Sequence, residues 1–187
     1  DKITQILNLP NGVVMVTGPT GSGKTTTLYS MLAKLNRDIL NIMTIEDPVE
    51  YYFNGISQTQ VNIKSGMTFA SGLRALLRQD PDVVLIGEIR DGETAQISSQ
   101  ASLTGHLVFS TIHTNTAVGV VNRLYNLGLE PFLIASTLQA IIAQRLVRKL
   151  CKNCRQSYTA TSNELATLGL SKDSNQIIYK AVGCNEC

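Results

Sequence analysis

No basic run interrupts this sequence, and no apolar stretch in it approaches the length of a membrane span. Tryptophan is absent, aromatic residues make up 5%, and the formal net charge is only +2. Without a basic, aromatic-rich patch the chain lacks the footprint of a nucleic-acid binder. The opening residues do not read as a signal peptide. Charged residues reach 16% against 43% apolar, which fits a globular chain and excludes a disordered one. At 187 residues there is room for one α/β domain with a sizeable core and a small appendage. The first residue is Asp1, and about a dozen residues precede the first strand, so we expect a domain cut from a longer protein.

What is present begins with Gly18-Pro19-Thr20-Gly21-Ser22-Gly23-Lys24-Thr25, which fits G-x-x-x-x-G-K-[ST], the phosphate-binding P-loop. Val13 to Thr17 before it read as a buried strand. Leu28, Met31, Leu32 and Leu35 after it fall at helical spacing. Glycines let the backbone turn its N–H groups toward one point, and the helix start adds positive potential. Lys24 adds a full charge for the β- and γ-phosphates, and the Thr25 hydroxyl suits Mg²⁺.

Residues 1–11 read as a short helix. Asn41 to Ile45 form a second buried strand ending in Glu46-Asp47-Pro48-Val49-Glu50-Tyr51. In a parallel α/β sheet the carboxyl ends of strands face the ligand crevice, which places these acids near Mg²⁺ and an attacking water. Alternation over residues 52–63 predicts a hairpin or meander. Thr68 opens a helix whose Arg74 and Arg78, four apart, reach a phosphate or acid, or form a solvated face. Val83 to Ile89 are the third buried strand. The usual Mg²⁺-binding Asp after four apolar residues is replaced by Gly87, and Glu88 follows. Glu46 and Glu88 therefore become the candidate catalytic acids. No Asn-Lys-x-Asp stretch is present to select guanine.

Asp91 starts a helix, where its charge suits the dipole. Leu107 to His113 form a fourth strand between the only two histidines. His113, at the carboxyl end, is placed to sense the γ-phosphate or donate to it; His106 lies at the other end. Helices are expected over 117–127 and 132–146. Arg145, Arg148 and Lys149 then complement the second helix's dipole, or one of them reaches nucleotide or a neighbouring subunit.

Cys151-x-x-Cys154 and Cys184-x-x-Cys187 are the only cysteines. Two such knuckles give four thiolates for a tetrahedral Zn²⁺ site, structural because no position is left open. The gap between them holds a short helix over 162–168 with Glu164 in its first turn.

Together these motifs resemble the motor domain of type II secretion and type IV pilus assembly ATPases, within the additional-strand P-loop NTPases. The matching stretches are Thr17 to Tyr29, Thr44 to Tyr51 (the aspartate box), Leu77 to Asp91 (the atypical Walker B, with its glycine), Thr104 to Asn115 (the histidine box), and the cysteine pairs. The resemblance implies a RecA-like α/β core over 1–150 and a tetracysteine element over 151–187. It implies an amino-terminal domain, absent from this chain, that supplies arginines to the nucleotide. ATP, Mg²⁺ and Zn²⁺ are the implied cofactors. Gly18, Pro19, Thr20, Gly21, Ser22, Gly23, Lys24, Thr25 and Thr26 hold nucleotide. Glu46 positions water, Glu88 lies near Mg²⁺, and His113 couples γ-phosphate to motion; His106 and Arg90 are further candidate sensors. The implied setting is a homohexamer on the cytoplasmic face of the inner membrane, moving a platform protein so that pilin or pseudopilin subunits join a fibre. The competing readings are a nucleic-acid motor and a nucleotide-gated interaction module with no meaningful turnover.

Overall fold

The computed structural model describes residues 2–35, 37–171 and 174–187. The chain divides into two compact units, Asp1–Leu146 and Val147–Cys187.

The first unit is a parallel sheet with helices on both faces. Its chain order is α1 (Lys2–Leu7), β1 (Gly12–Thr17), α2 (Lys24–Leu32), β2 (Ile42–Glu46), β3 (Ser57–Gln60), α3 (Phe69–Leu76), β4 (Val83–Ile86), α4 (Gly92–Leu103), β5 (Leu107–Ile112), α5 (Ala117–Asn126), α6 (Pro131–Thr137) and β6 (Leu138–Ala143). In space the strands run β3-β2-β4-β5-β1-β6, every neighbour parallel. β5 stands between the P-loop strand β1 and the acidic strand β4, the extra strand that the resemblance implies.

The central strands are apolar on both sides, as a sheet covered twice requires. Val13 and Met15 of β1 join one core with Val84, Ile86, Val108 and Ile112. Val14 and Val16 join the other, with Val83, Leu85, Leu107 and Phe109. Adjacent residues alternate between the two cores because strand side chains have period two. The first core is closed by α3, α4, α5 and α6, the second by α1 and α2.

Local caps fix where helices begin. Thr68 accepts the Ser71 N–H at 3.1 Å while Ser71 Oγ accepts the Thr68 N–H at 2.8 Å. Asp91 caps α4 by accepting the Thr94 N–H at 2.8 Å. Gly92 follows, and a Cβ there would lie 2.2 Å from the Leu127 carbonyl oxygen behind α5. Gly92→Ala is therefore expected to destabilise the first unit by about 1–3 kcal/mol, an overpacking cost read as a lower midpoint in urea.

Three expectations need correction. Residues 52–63 are not a hairpin: β3 pairs parallel to β2, with Met43 opposite Ser57 and Glu46 opposite Gln60. Alternation marks a strand but not its partner. The helix expected over 132–146 stops at Thr137, and the chain continues as β6, in register with β1 from Val14↔Ala140 to Thr17↔Ala143. Its Ile and Ala residues suit a half-buried edge strand as well as a helix, and the open edge of β1 decides the matter. Arg145, Arg148 and Lys149 consequently do not end a helix, so the dipole account of them falls. Arg74 reaches a neighbouring acid, Glu93 of α4, at 2.7 Å, and Arg78 Nε donates to the Arg74 carbonyl. The Arg74–Glu93 pair is half exposed and contributes little to stability.

The second unit holds β7 (Gln156–Thr159) antiparallel to β8 (Ile177–Lys180), with α7 (Ser162–Thr167) between them. Thr161 and Glu164 form a capping box at α7. Arg155 lies 4.4 Å over the Tyr179 ring.

Candidate functional site

The P-loop hangs from the carboxyl end of β1. Thr17 is fully buried there and its hydroxyl lies 2.8 Å from the Ile112 carbonyl while accepting the Thr114 N–H at 3.0 Å. This ties the start of the loop to the end of β5, where His113 stands. Gly18, Gly21 and Gly23 have φ of 148°, 74° and 82°, left-handed backbone that suits glycine. A Cβ on Gly18 would also lie 2.3 Å from the Gln144 carbonyl oxygen. Lys24 Nζ donates to the carbonyls of Gly18 and Pro19, each at 3.1 Å. Ser22 Oγ is buried with no hydrogen-bond partner among the described residues. An orphaned hydroxyl, a lysine at the loop and successive turned amides fit a phosphate chain.

Gln144, just past β6, clamps the loop. Its backbone N–H donates to the Thr17 carbonyl at 2.9 Å, its side-chain amide donates to the Ser22 carbonyl at 2.5 Å, and it accepts the Thr27 hydroxyl at 2.8 Å. Nothing local in the sequence marks this role, since Gln144 lies within the stretch expected to be helical.

The loop faces a cleft of about 530 Å³ lined by Lys24, Thr25, Glu46, Glu50, Glu88 and His113, among others. Glu88 projects into it beyond β4 with its side chain 15% exposed. Arg90 donates to Glu88 Oε1, and His113 Nε2 lies 3.5 Å from Oε2. The bond to Glu88 raises the Arg90 pKa above its ordinary value. Arg90 Nη1 also stands 3.8 Å from Asp47. Gly87, at the position of the missing Asp, has a packing reason. A Cβ there would meet the Glu46 Cα at 3.3 Å and the Phe69 ring at 3.5 Å, so the glycine lets β4 end close against β2.

Two expected site residues sit differently. Glu46 lines the cleft floor but is 2% exposed, and three donors occupy its carboxylate. Thr44 Oγ1 donates to Oε1 at 2.5 Å, Gln58 Nε2 donates to Oε1 at 3.1 Å, and the Tyr29 hydroxyl donates to Oε2. Burial and three donors, on a carboxylate with about four acceptor positions, leave Glu46 little access to a water. Glu50, four residues on, is exposed, lines the same cleft, and has no partner on its carboxylate among the described residues. His106 is not at the cleft. It precedes β5 at the opposite edge of the sheet, with Nδ1 2.8 Å from the Ala101 carbonyl. Strand rise puts it about 20 Å from His113.

In the second unit the sulfurs of Cys151, Cys154, Cys184 and Cys187 all lie within 4.8 Å of one another. Cys154 and Cys187 are 3.7 Å apart, and Cys184 and Cys187 3.9 Å. These exceed a disulfide bond and match the roughly 3.8 Å edge of a tetrahedron with metal–sulfur bonds of about 2.3 Å. The donor set fits a metal ion. The Asn153 amide, then that of Cys154, holds the Cys151 thiol down at about 7. At Cys154 the lowering by the Gly183 amide is outweighed by desolvation and by the thiols of Cys187, Cys151 and Cys184, which push it up to about 11.

The geometry has its counterpart among known proteins. The chain is 56% identical over 185 residues to type II secretion system protein E of Aeromonas hydrophila, covering 99% of this chain and 37% of that protein. It is 57% identical over 187 residues to type II secretion system ATPase E of Vibrio cholerae, covering all of this chain and again 37% of the relative. The chain thus spans little more than a third of these relatives. A crystal structure of the pilus retraction motor PilT with bound ADP is 41% identical, with a TM-score of 0.73, over 81% of this chain and 47% of that one. The pattern of the type II/IV secretion system proteins matches residues 1–187, and the chain belongs to that family.

Proposed function

We propose that this chain is the nucleotide-hydrolysing part of a type II secretion or type IV pilus assembly motor. The observation that carries the reading is the one cleft at the carboxyl edge of the sheet where the P-loop, Glu50, Glu88 and His113 meet. The P-loop amides and Lys24 hold the β- and γ-phosphates; to do so Lys24 exchanges the Gly18 and Pro19 carbonyls for phosphate oxygens. Thr25 and Glu88 would hold Mg²⁺, which supplies charge stabilisation of the transferring phosphoryl group. Glu50 takes the water-orienting role expected of Glu46, because its carboxylate is the one open to the cleft. His113 and Arg90 flank Glu88 and register its position.

The four cysteines would hold Zn²⁺ as a structural ion. No helix among the described residues is long and apolar enough to cross a membrane. The setting we infer from the resemblance is a homohexamer working on a platform protein at the cytoplasmic face of the inner membrane; the relatives' names support a place in a type II secretion system. The net charge of +2 supports a motor without a nucleic-acid track.

The test is hydrolysis and nucleotide binding by the full-length protein with Lys24→Ala. Loss of a charge-assisted contact should weaken ATP binding about 10- to 100-fold, with turnover falling at least as far. Unchanged binding would remove the assignment. Strong salt-dependent stimulation of the unmutated protein by DNA would replace it with a nucleic-acid motor.

A further inference from the structure

The buried hydroxyl of Tyr29 is not absorbed by phosphate binding. Tyr29 sits on α2, directly behind the P-loop, and is 1% exposed. Its hydroxyl donates to Glu46 Oε2 and lies 3.4 Å from the backbone N–H of Glu50, which donates to it. Its ring edges against Tyr51, with centroids 4.6 Å apart, and Phe53, at 5.1 Å. The segment that carries Glu50 is thus held to the P-loop helix by one side chain, through both its polar and its apolar parts.

We propose that Tyr29 is a positioning residue: its hydroxyl, anchored on the buried Glu46 carboxylate, sets the height and direction of Glu50 over the P-loop. The inference rests on the reading of Glu50 as the water-orienting acid. Glu46 gains a purpose in this arrangement. With Thr44 and Gln58 filling its other oxygen, it is a fixed acceptor at the end of β2 rather than a reactive base. Gln58 completes the frame by accepting the Phe53 N–H at 2.8 Å and donating to the Tyr51 carbonyl at 3.2 Å. Burial, then the bond to Glu46, raises the Tyr29 phenol above its ordinary pKa and keeps the proton that makes the bond. A 1 Å error in a water-orienting group can cost up to about a hundredfold in rate. The link therefore matters to turnover and not to nucleotide affinity.

The experiment uses the full-length protein and compares Tyr29→Phe, Glu46→Gln, the double variant and Glu50→Gln. Phenylalanine keeps the ring contacts, so the fold is retained; thermal denaturation verifies this. Tyr29→Phe is expected to lower kcat about tenfold with the Kd for ATP within about twofold. The double variant should be no slower than Glu46→Gln alone, because both changes break one linkage. A kcat within twofold of wild type, a parallel loss of ATP binding, or additive losses in the double variant would each overturn the proposal. If Glu50→Gln is inactive while Tyr29→Phe is fully active, the positioning role fails alone. If Glu50→Gln keeps its turnover, the reading of Glu50 fails and the positioning role with it.

Discussion

Glu88→Gln should leave ATP bound within about twofold of wild type and lower kcat by about 10²- to 10³-fold, the range for removing one preorganised electrostatic group. The reason lies in what surrounds this carboxylate. It is largely buried, with Arg90 on one oxygen and His113 on the other. The amide keeps the shape but loses the charge that these two cation-capable groups face and that a divalent ion requires. None of the P-loop contacts runs through Glu88, so affinity for the phosphate chain is retained. Equilibrium binding of ATP beside steady-state phosphate release in the full-length protein separates the two effects. Turnover equal to wild type would show that the glycine-containing acidic strand is not catalytic.

Removing one metal ligand should have the second large effect, confined to the second unit. Ala160 and Leu165 are its buried apolar side chains among the described residues. A core that small does not hold a module together without a staple. Structural zinc in small modules is worth about 10–16 kcal/mol of binding free energy at neutral pH, most of which appears as folding. Cys154→Ser is expected to drop metal content from about one ion per chain to near zero and to open residues 147–187 to protease. ATP binding should persist, because every residue of the cleft lies in the first unit. Metal analysis giving no ion in the unmutated protein, with all four thiols titrating freely, would refute the site.

The parts legible in the sequence are those where chemistry constrains residue type locally. Glycines at positions of positive φ, a lysine after them and two C-x-x-C pairs are readable because few other residues can stand there. The same holds for Asp91 and Thr68, whose side chains cap the helices that follow. What was not legible depends on partners distant in the chain. β6 reads as helix until β1 is there to pair with it. Tyr29 falls at core spacing on a helix, and nothing local distinguishes its buried hydroxyl from a plain apolar contact. The rule that strand ends face the ligand brings Glu46 and Glu50 to the same edge. It does not say that Thr44, Gln58 and Tyr29 consume the first and leave the second open.

The strand order also governs when the P-loop can exist. β1 leaves the ribosome before both of its neighbours, β5 and β6, and Thr17 pairs with Ile112 and Ala143. The hydroxyl bond from Thr17 to Ile112 closes a separation of 95 residues. During synthesis β1 therefore waits as an unpaired apolar strand until most of the first unit has left the ribosome. Closing so long a loop is entropically costly and slow compared with forming local helices. The clamp from Gln144 comes later still. A nascent chain shorter than that has the P-loop residues but no frame to hold them, so nucleotide cannot assist folding before the sheet is nearly complete.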